Sequence, residues 1–422
     1  MMGESCPEKG QVMQESVKRS QAVWAAEAPA ANGGAGAFSE LAGELAQLDE
    51  RGLLRARRLL ESPQKARVAV DGREYVAFCS NDYLGLAADP ALIEAARLGA
   101  ARHGVGAGAS HLILGHSAAH HELEARQAAL MGRPRALLFS TGYMANLGAV
   151  TALVGRGDAI FADRLNHASL NDAALLSRAT LRRYGHGDVA ALERMLAASA
   201  GRRKLVLTDA VFSMDGDIAP VPDLIALCER YDAWLLLDDA HGFGVLGAGG
   251  RGVLEHFAAA SPRVVYMATL GKAAGVFGAF VAGERDAVDW LVQRARPYIY
   301  TTATPPMLAA ALIESLDLIR NGAARRGHLR ALIARLRERV RVAHWSLMPS
   351  HTPIQPLVIG GAREAVAVSQ QLAGRGFLVP AIRPPTVPEG TARLRISLSA
   401  AHSIEDVERL AAALNELERV GE

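Results

Sequence analysis

Lys272 stands in the run Thr269-Leu270-Gly271-Lys272, directly after an apolar stretch (264–270) that reads as a buried strand. Upstream, a second apolar run, Trp234-Leu235-Leu236-Leu237, ends in Asp238-Asp239-Ala240-His241-Gly242. An amine and a carboxylate at the ends of two successive strands suit one division of labour. The lysine holds a cofactor aldehyde as a Schiff base. The carboxylate keeps a ring nitrogen of that cofactor protonated, so that the ring accepts electrons from a carbanion.

Three further strand ends carry polar groups. Gly142-Tyr143-Met144-Ala145-Asn146 follows a predicted strand (136–140) and opens an apolar helix, whose first N–H groups are free to bind an anion. A Gly between strand and helix is also ordinary α/β punctuation. Asp163-Arg164-Leu165-Asn166-His167 brings an imidazole to the same sheet edge, suited to stacking on a flat ring or, equally, to capping and packing. After the strand that ends in Asp209 comes Ser213, within reach of a ring oxygen, ahead of an Asp215-Gly216 turn. In chain order the five ends present an anion seat, an imidazole, a hydroxyl, a carboxylate and a lysine, which is the set a pyridoxal phosphate site requires.

A metal reading competes for some of these residues. Two facing acids with His241 form part of a ligand set, but the spacing names no third or fourth ligand. His116 and His120 stand at i and i+4 on a predicted helix, with His121 alongside, yet without the glutamate of a zinc protease motif. No metal is expected.

The elements that position these groups follow from apolar periodicity. Short strands (136–140, 159–162, 205–209, 234–238, 264–268 and 279–282) alternate with Ala/Leu-rich helices, which predicts an α/β large domain (81–305) with a mostly parallel sheet flanked by helices and a ligand beyond the strands' carboxyl ends. A long helical stretch (306–342), strands (354–359, 378–381 and 394–398) and a final helix (403–420) predict a small α+β domain over 306–422. Leu41, Leu45, Leu48, Leu53 and Leu54 predict a docking N-terminal helix within a helix-and-arm segment (41–80), after a mobile extension (1–40).

Composition narrows the partners. Half of the 422 residues are apolar, enough for a sizeable interior, and the 46 basic and 44 acidic residues nearly cancel. With no basic block, neither nucleic acid nor an anionic membrane is an expected partner, and no apolar run is long enough to span a bilayer. Cys6, Cys79 and Cys228 are odd in number and far apart, so no disulfide framework is predicted and a cytoplasmic location is expected.

The segments Ser80-Asn81-Asp82-Tyr83-Leu84-Gly85, Asp163 to Ser169, Val211 to Asp217, Asp238 to Gly242 and Gly271-Lys272 closely resemble those of the α-oxoamine synthases, a family within the fold-type I pyridoxal phosphate enzymes. The resemblance runs from about residue 48 to the C-terminus. It implies an acyltransferase that condenses an amino acid with an acyl thioester and releases carbon dioxide. The tail (381–395) is similar to that of the members that join L-alanine to pimeloyl-CoA or pimeloyl-acyl carrier protein in biotin biosynthesis, rather than to the glycine-using or serine-using members.

The same resemblance implies roles for individual residues. Lys272 carries pyridoxal 5′-phosphate, Asp238 faces its ring nitrogen, His167 stacks on the ring, and Ser213 and His241 lie near the phenolic oxygen. Gly142, Tyr143 and Thr269 hold the phosphate, while Thr301 or Thr302 reaches the phosphate of the neighbouring subunit in a homodimer. Arg395 binds the substrate carboxylate, and Arg58 and Thr386 contact the substrate. Asp209, Phe243 and His116 depart from the family's usual Glu, Thr and aromatic residue. A glycine C-acetyltransferase, an aminotransferase and a catalytically silent subunit are the other readings. The aminotransferase leaves the tail unexplained, and the silent subunit leaves Lys272, Asp238 and Arg395 without a purpose.

Overall fold

The computed structural model describes residues 36–51, 53–55 and 57–420. The chain divides into two units, residues 1–58 and 59–422. Most of the expected extension lies outside the described residues. In the first unit the predicted helix forms as Ser39–Glu50, with Leu41, Leu45 and Leu48 exposed, and stops short of Leu53 and Leu54.

The second unit opens with β1 (Arg67–Val70) and β2 (Arg73–Ala77), a hairpin turned by Asp71-Gly72, both at positive φ. Its centre is a seven-stranded sheet of β3 (Arg135–Phe139), β4 (Ala159–Asp163), β5 (Thr180–Tyr184), β6 (Lys204–Asp209), β7 (Trp234–Asp238), β8 (Val264–Thr269) and β9 (Ala279–Gly283). The spatial order is β3-β9-β8-β7-β6-β4-β5. β6, β7 and β8 are almost wholly buried, which is why they read as continuous apolar runs instead of alternating ones. β5 has no such run, because as an edge strand it exposes three of its five residues. β9 alone runs antiparallel to its neighbours, since the connection from β8 (270–278) is too short for a crossover helix.

A second sheet, ordered β10-β11-β14-β13, gathers β10 (Ser346–Leu347), β11 (Ile354–Gly360), β13 (Ala381–Ile382) and β14 (Ala392–Ser397). The single strand predicted over 378–381 is in fact two. β12 (Phe377–Leu378) pairs with β2, β13 pairs with β14, and Pro380 between them has no N–H to continue a ladder. The predicted helical stretch is likewise two helices, Pro306–Arg320 and Ala323–Arg339, broken at Asn321-Gly322. Buried Arg326 closes the break by donating to Ile319 O and Ala248 O, both at 2.6 Å.

β14 sorts its residues by strand alternation. Ala392, Leu394 and Ile396 enter the large hydrophobic cluster that runs through this unit. Arg393, Arg395 and Ser397 therefore face the other way, toward the loop that leaves β6.

Candidate active site

Parallel register sets Asp209 beside Asp238, and Asp238 beside Met267, so β6, β7 and β8 end at one edge. Lys272 lies in the tight loop after β8, where Leu270 N donates to Gly278 O at 2.7 Å and Gly275 N to Lys272 O at 2.8 Å. Gly275 has φ +71, and a Cβ there would come within 2.7 Å of the Leu86 and Ala87 backbone, so only glycine fits.

Lys272 Nζ stands 2.8 Å from His241 Nε2, and His241 Nδ1 stands 2.7 Å from the Tyr83 hydroxyl. Tyr83 donates to Asn81 Oδ1 at 3.0 Å, and the same oxygen accepts from Arg395 Nη1 and Nη2 at 3.2 and 3.3 Å. One hydrogen-bond chain thus joins Arg395 to Lys272. Burial pushes the Lys272 amine down to about 8, against the pull of the Asp238 and Asp209 carboxyls. Burial, with Lys272 and Arg395 nearby, holds His241 far below the ordinary imidazole range.

A lysine near 8 leaves roughly one amine in ten neutral at pH 7, against about one in 3,000 for an unperturbed lysine. Capture of an aldehyde needs the neutral amine. We therefore expect the capture rate of the cofactor-free protein to rise about tenfold per pH unit below 8 and to level off above it. Stopped-flow absorbance reads this directly, and a rate that is flat from pH 6 to 9 would contradict the assignment.

Asp238 is held on two sides, by Ala240 N at 3.0 Å and by Asn146 Nδ2 at 2.7 Å. The other hydrogen of that amide goes to Ser169 Oγ at 2.9 Å, which in turn stands 2.8 Å from His167 Nδ1. Asp209 accepts from the His167 backbone N–H at 2.6 Å, so this departure from the family pattern anchors the imidazole loop. Burial, and then the neighbouring Asp238, pushes Asp209 well above the carboxylate range. Burial also holds His167 below its usual value, although Asp238 opposes the shift.

The residues present fit pyridoxal phosphate. Thr141 caps helix Gly142–Leu153 through Met144 N at 3.1 Å, which leaves the first-turn N–H groups of Gly142 and Tyr143 without helical partners. A Cβ at Gly142 or at Gly271 would come within 4 Å of Thr269 Oγ1, so the two glycines and the threonine hydroxyl line one small cradle. Asn146 Oδ1 is buried with no partner, next to the Asp238 carboxylate.

Arg395 is buried and donates to Ser213 O, to Asn81 Oδ1 and to Ser397 Oγ at 2.8 Å. All three acceptors are neutral. Among the described residues no salt bridge closes on Arg395, whereas Arg393, two positions earlier on the same face, pairs with Asp215. Held only by neutral acceptors, the buried guanidinium keeps a charge without a counter-ion among the described residues.

Thr301, Thr302 and Thr386 take no part in this chain of contacts. Thr301 is half-buried and Thr302 exposed, and the segment is tied to the 109–115 loop by Ala303 N donating to Ala109 O at 3.0 Å. Thr386 is exposed on the turn between β13 and β14, where its N–H donates to Arg383 O at 3.1 Å. Arg58 is the last, exposed residue of the first unit. Asn81, Tyr83, Asn146 and Ser169 belong to the site's contacts but were not singled out from sequence. A polar Asn in the mostly apolar helix Gly142–Leu153 was the available signal for one of them.

His116 and His120 gather with His111, their ligand atoms within 4.8 Å of one another. Both nitrogens of His120 are already engaged, Nδ1 by Ser117 N at 3.0 Å and Nε2 by Thr304 O at 2.7 Å. The cluster caps helix Ala118–Met131 and ties it to Thr304.

His186 has a different task. Its Nδ1 lies 3.1 Å from Asp163 Oδ1 and its Nε2 lies 2.8 Å from Asp217 Oδ2, and hydrogen bonding to Asp163 and then Asp217 raises it to about 10. It clasps the end of β4 to the loops after β5 and β6. With the folded pKa above the unfolded value of about 6.5, the stabilisation is full below that value and is lost as pH rises through about 10. His186→Leu is expected to cost about 1–3 kcal/mol at pH 6 in urea unfolding. Equal losses at pH 6 and pH 10 would show that the imidazolium is not the cause.

The profile of the class I and II aminotransferase family matches residues 73–414. The 8-amino-7-oxononanoate synthase of Nitrosospira multiformis is 66% identical over 369 residues, covering 87% of this chain and 93% of that protein. The solved 8-amino-7-oxononanoate synthase of Francisella tularensis superposes with a TM-score of 0.72 at 30% identity, over 82% of this chain and 98% of its own. A serine palmitoyltransferase from S. paucimobilis, solved with a bound pyridoxal phosphate–myriocin aldimine, gives a TM-score of 0.84 at 28% identity, over 92% and 98%.

Proposed function

The chain belongs to the 8-amino-7-oxononanoate synthases, and from that membership we propose that its site joins Cα of L-alanine to the carbonyl carbon of a pimeloyl thioester, releasing carbon dioxide and free thiol. The enzyme is an acyltransferase of fold type I that uses pyridoxal 5′-phosphate. When bound, that cofactor supplies an electron sink for the pair left at Cα. The observation that carries the reading is the hydrogen-bond chain from Lys272 to Arg395, a half-buried amine and a buried guanidinium without a carboxylate, suited to a substrate that has both an amino group and a carboxylate.

Each residue's task follows from its surroundings. Lys272 holds the cofactor and, once freed, takes the Cα proton and later returns one, as an amine near 8 is suited to do at neutral pH. Asp238, oriented by Asn146, faces the ring nitrogen, and His167, oriented by Ser169 and Asp209, covers the ring. Gly142, Tyr143 and Thr269 take the phosphate, with Ser213 and His241 at the phenolic oxygen. Arg395 would bind the substrate carboxylate through its charge and its remaining N–H, and so fix the orientation of the bonds at Cα. Arg58 and Thr386 contact the substrate.

The working unit is a homodimer in which Thr301 or Thr302 reaches the partner's phosphate. The turn His111–Gly115 supports this: Leu112, Ile113 and Leu114 are three consecutive exposed apolar residues, held beside the Thr301-Thr302 segment. A fully active monomer by light scattering would exclude it. No helix among the described residues is long and apolar enough to cross a membrane.

Specificity constants test the substrate choice. L-alanine with pimeloyl-CoA or pimeloyl-acyl carrier protein is expected to outperform glycine with acetyl-CoA. A methyl is worth only about 1–3 kcal/mol in an apolar pocket, so some turnover of glycine is expected. Glycine with acetyl-CoA as the best pair would make the enzyme a glycine C-acetyltransferase.

A further inference from the structure

We propose that Tyr83 is a positioning residue that keeps the His241 hydrogen on Nδ1, so that a bare Nε2 faces Lys272. The proposal deepens the reading of Lys272 as the cofactor lysine and rests on it.

The argument begins at Arg395, whose guanidinium has hydrogens to give and nothing to accept with. Its Nη1 and Nη2 lie 3.2 and 3.3 Å from one Asn81 side-chain atom, so that amide must present its oxygen there. An amide oxygen only accepts. The Tyr83 hydroxyl, 3.0 Å from the same oxygen, therefore spends its single proton on Asn81. Lone pairs are all that the Tyr83 oxygen has left for His241 Nδ1 at 2.7 Å, and Nδ1 must carry the hydrogen. A buried imidazole beside two cationic groups carries only one hydrogen. Nε2 is then bare, 2.8 Å from Lys272 Nζ, and it accepts from the amine.

The opposite form leaves a defect. With the hydrogen on Nε2, Tyr83 has to donate to Nδ1, and the Tyr83 and Asn81 oxygens then face each other at 3.0 Å with no hydrogen between them. Tyr83 is fully buried, so no water relieves that contact. Arg395 thus determines, through Asn81 and Tyr83, which nitrogen of His241 meets Lys272.

The tautomer can be read without turnover. In cofactor-free protein labelled with 15N-histidine, the signal lost in His241→Asn identifies His241, and its hydrogen is expected on Nδ1. Tyr83→Phe keeps the ring packing but removes the acceptor, so the signal is expected to shift toward the Nε2–H form. Lys272 then loses the acceptor for its ammonium, and the pH profile of cofactor capture is expected to move to lower pH by about half a unit or more. A purely structural tyrosine would move neither. A hydrogen on Nε2 in the parent protein would overturn the proposal, as would an unchanged tautomer and capture profile in Tyr83→Phe. The parent measurement decides even if the variant does not fold. Attachment of the cofactor to another lysine would instead sink the underlying reading, whatever the tautomer.

Discussion

Lys272→Ala is expected to lower kcat by at least about 10⁴-fold, because it removes both the covalent anchor and the base for the Cα proton. Cofactor binding should survive in non-covalent form. The Asp238–Asn146–Ser169–His167 contacts and the Gly142 cradle do not involve the Lys272 side chain, so the ring and phosphate seats remain. In the parent protein, borohydride reduction followed by peptide mapping should label Lys272. The test is clean because the chain has few lysines, and Lys204, at the start of β6, lies at the opposite end of that strand from Asp209. A label on Lys204, or a Lys272→Ala protein that turns over at a tenth of the parent rate, would refute the assignment.

Arg395→Ala should lower kcat/KM for the amino acid by about 10²- to 10³-fold, the range for truncating one partner of a buried charged hydrogen-bond pair. Arg395→Lys should rescue little. The three hydrogens of an ammonium are too few to replace the four that Arg395 gives to Ser213 O, Asn81 Oδ1 and Ser397 Oγ, and none would remain for a carboxylate. Arg393 supplies the control. It lies on the same face of β14 but is closed on Asp215, so Arg393→Ala should lower the unfolding midpoint far more than kcat/KM. If the two variants behave alike, the contrast between a paired and an unpaired buried arginine has been misread.

The residues at strand ends were legible from sequence for a physical reason. Strands buried on both faces read as unbroken apolar runs, so the first polar residues after each run mark the sheet edge: Asp163 and Asp238 appear this way, and Asp209 directly follows Thr208. Tyr83 and Asn81 have no such marker. They lie in the loop between β2 and helix Pro90–His103, and nothing in the spacing reports that a tyrosine 158 positions before His241 will touch its ring. β5 was hidden because an exposed edge strand has no apolar run, and the division of 378–381 and of 306–342 came from Pro380 and Asn321-Gly322, signals outweighed by the apolar pattern around them. Arg395 was recognised through resemblance, but its lack of a carboxylate partner emerged only from the three-dimensional contacts.

Carbon tracing tests the central claim most directly. With L-alanine labelled at the carboxyl carbon in one experiment and at Cα and nitrogen in another, decarboxylative condensation predicts that the first label leaves entirely as carbon dioxide. The second label is retained in 8-amino-7-oxononanoate, with one thiol released per product. Pyruvate that keeps the carboxyl label, with no thiol released, would mean that the site transfers the amino group instead and would contradict the account.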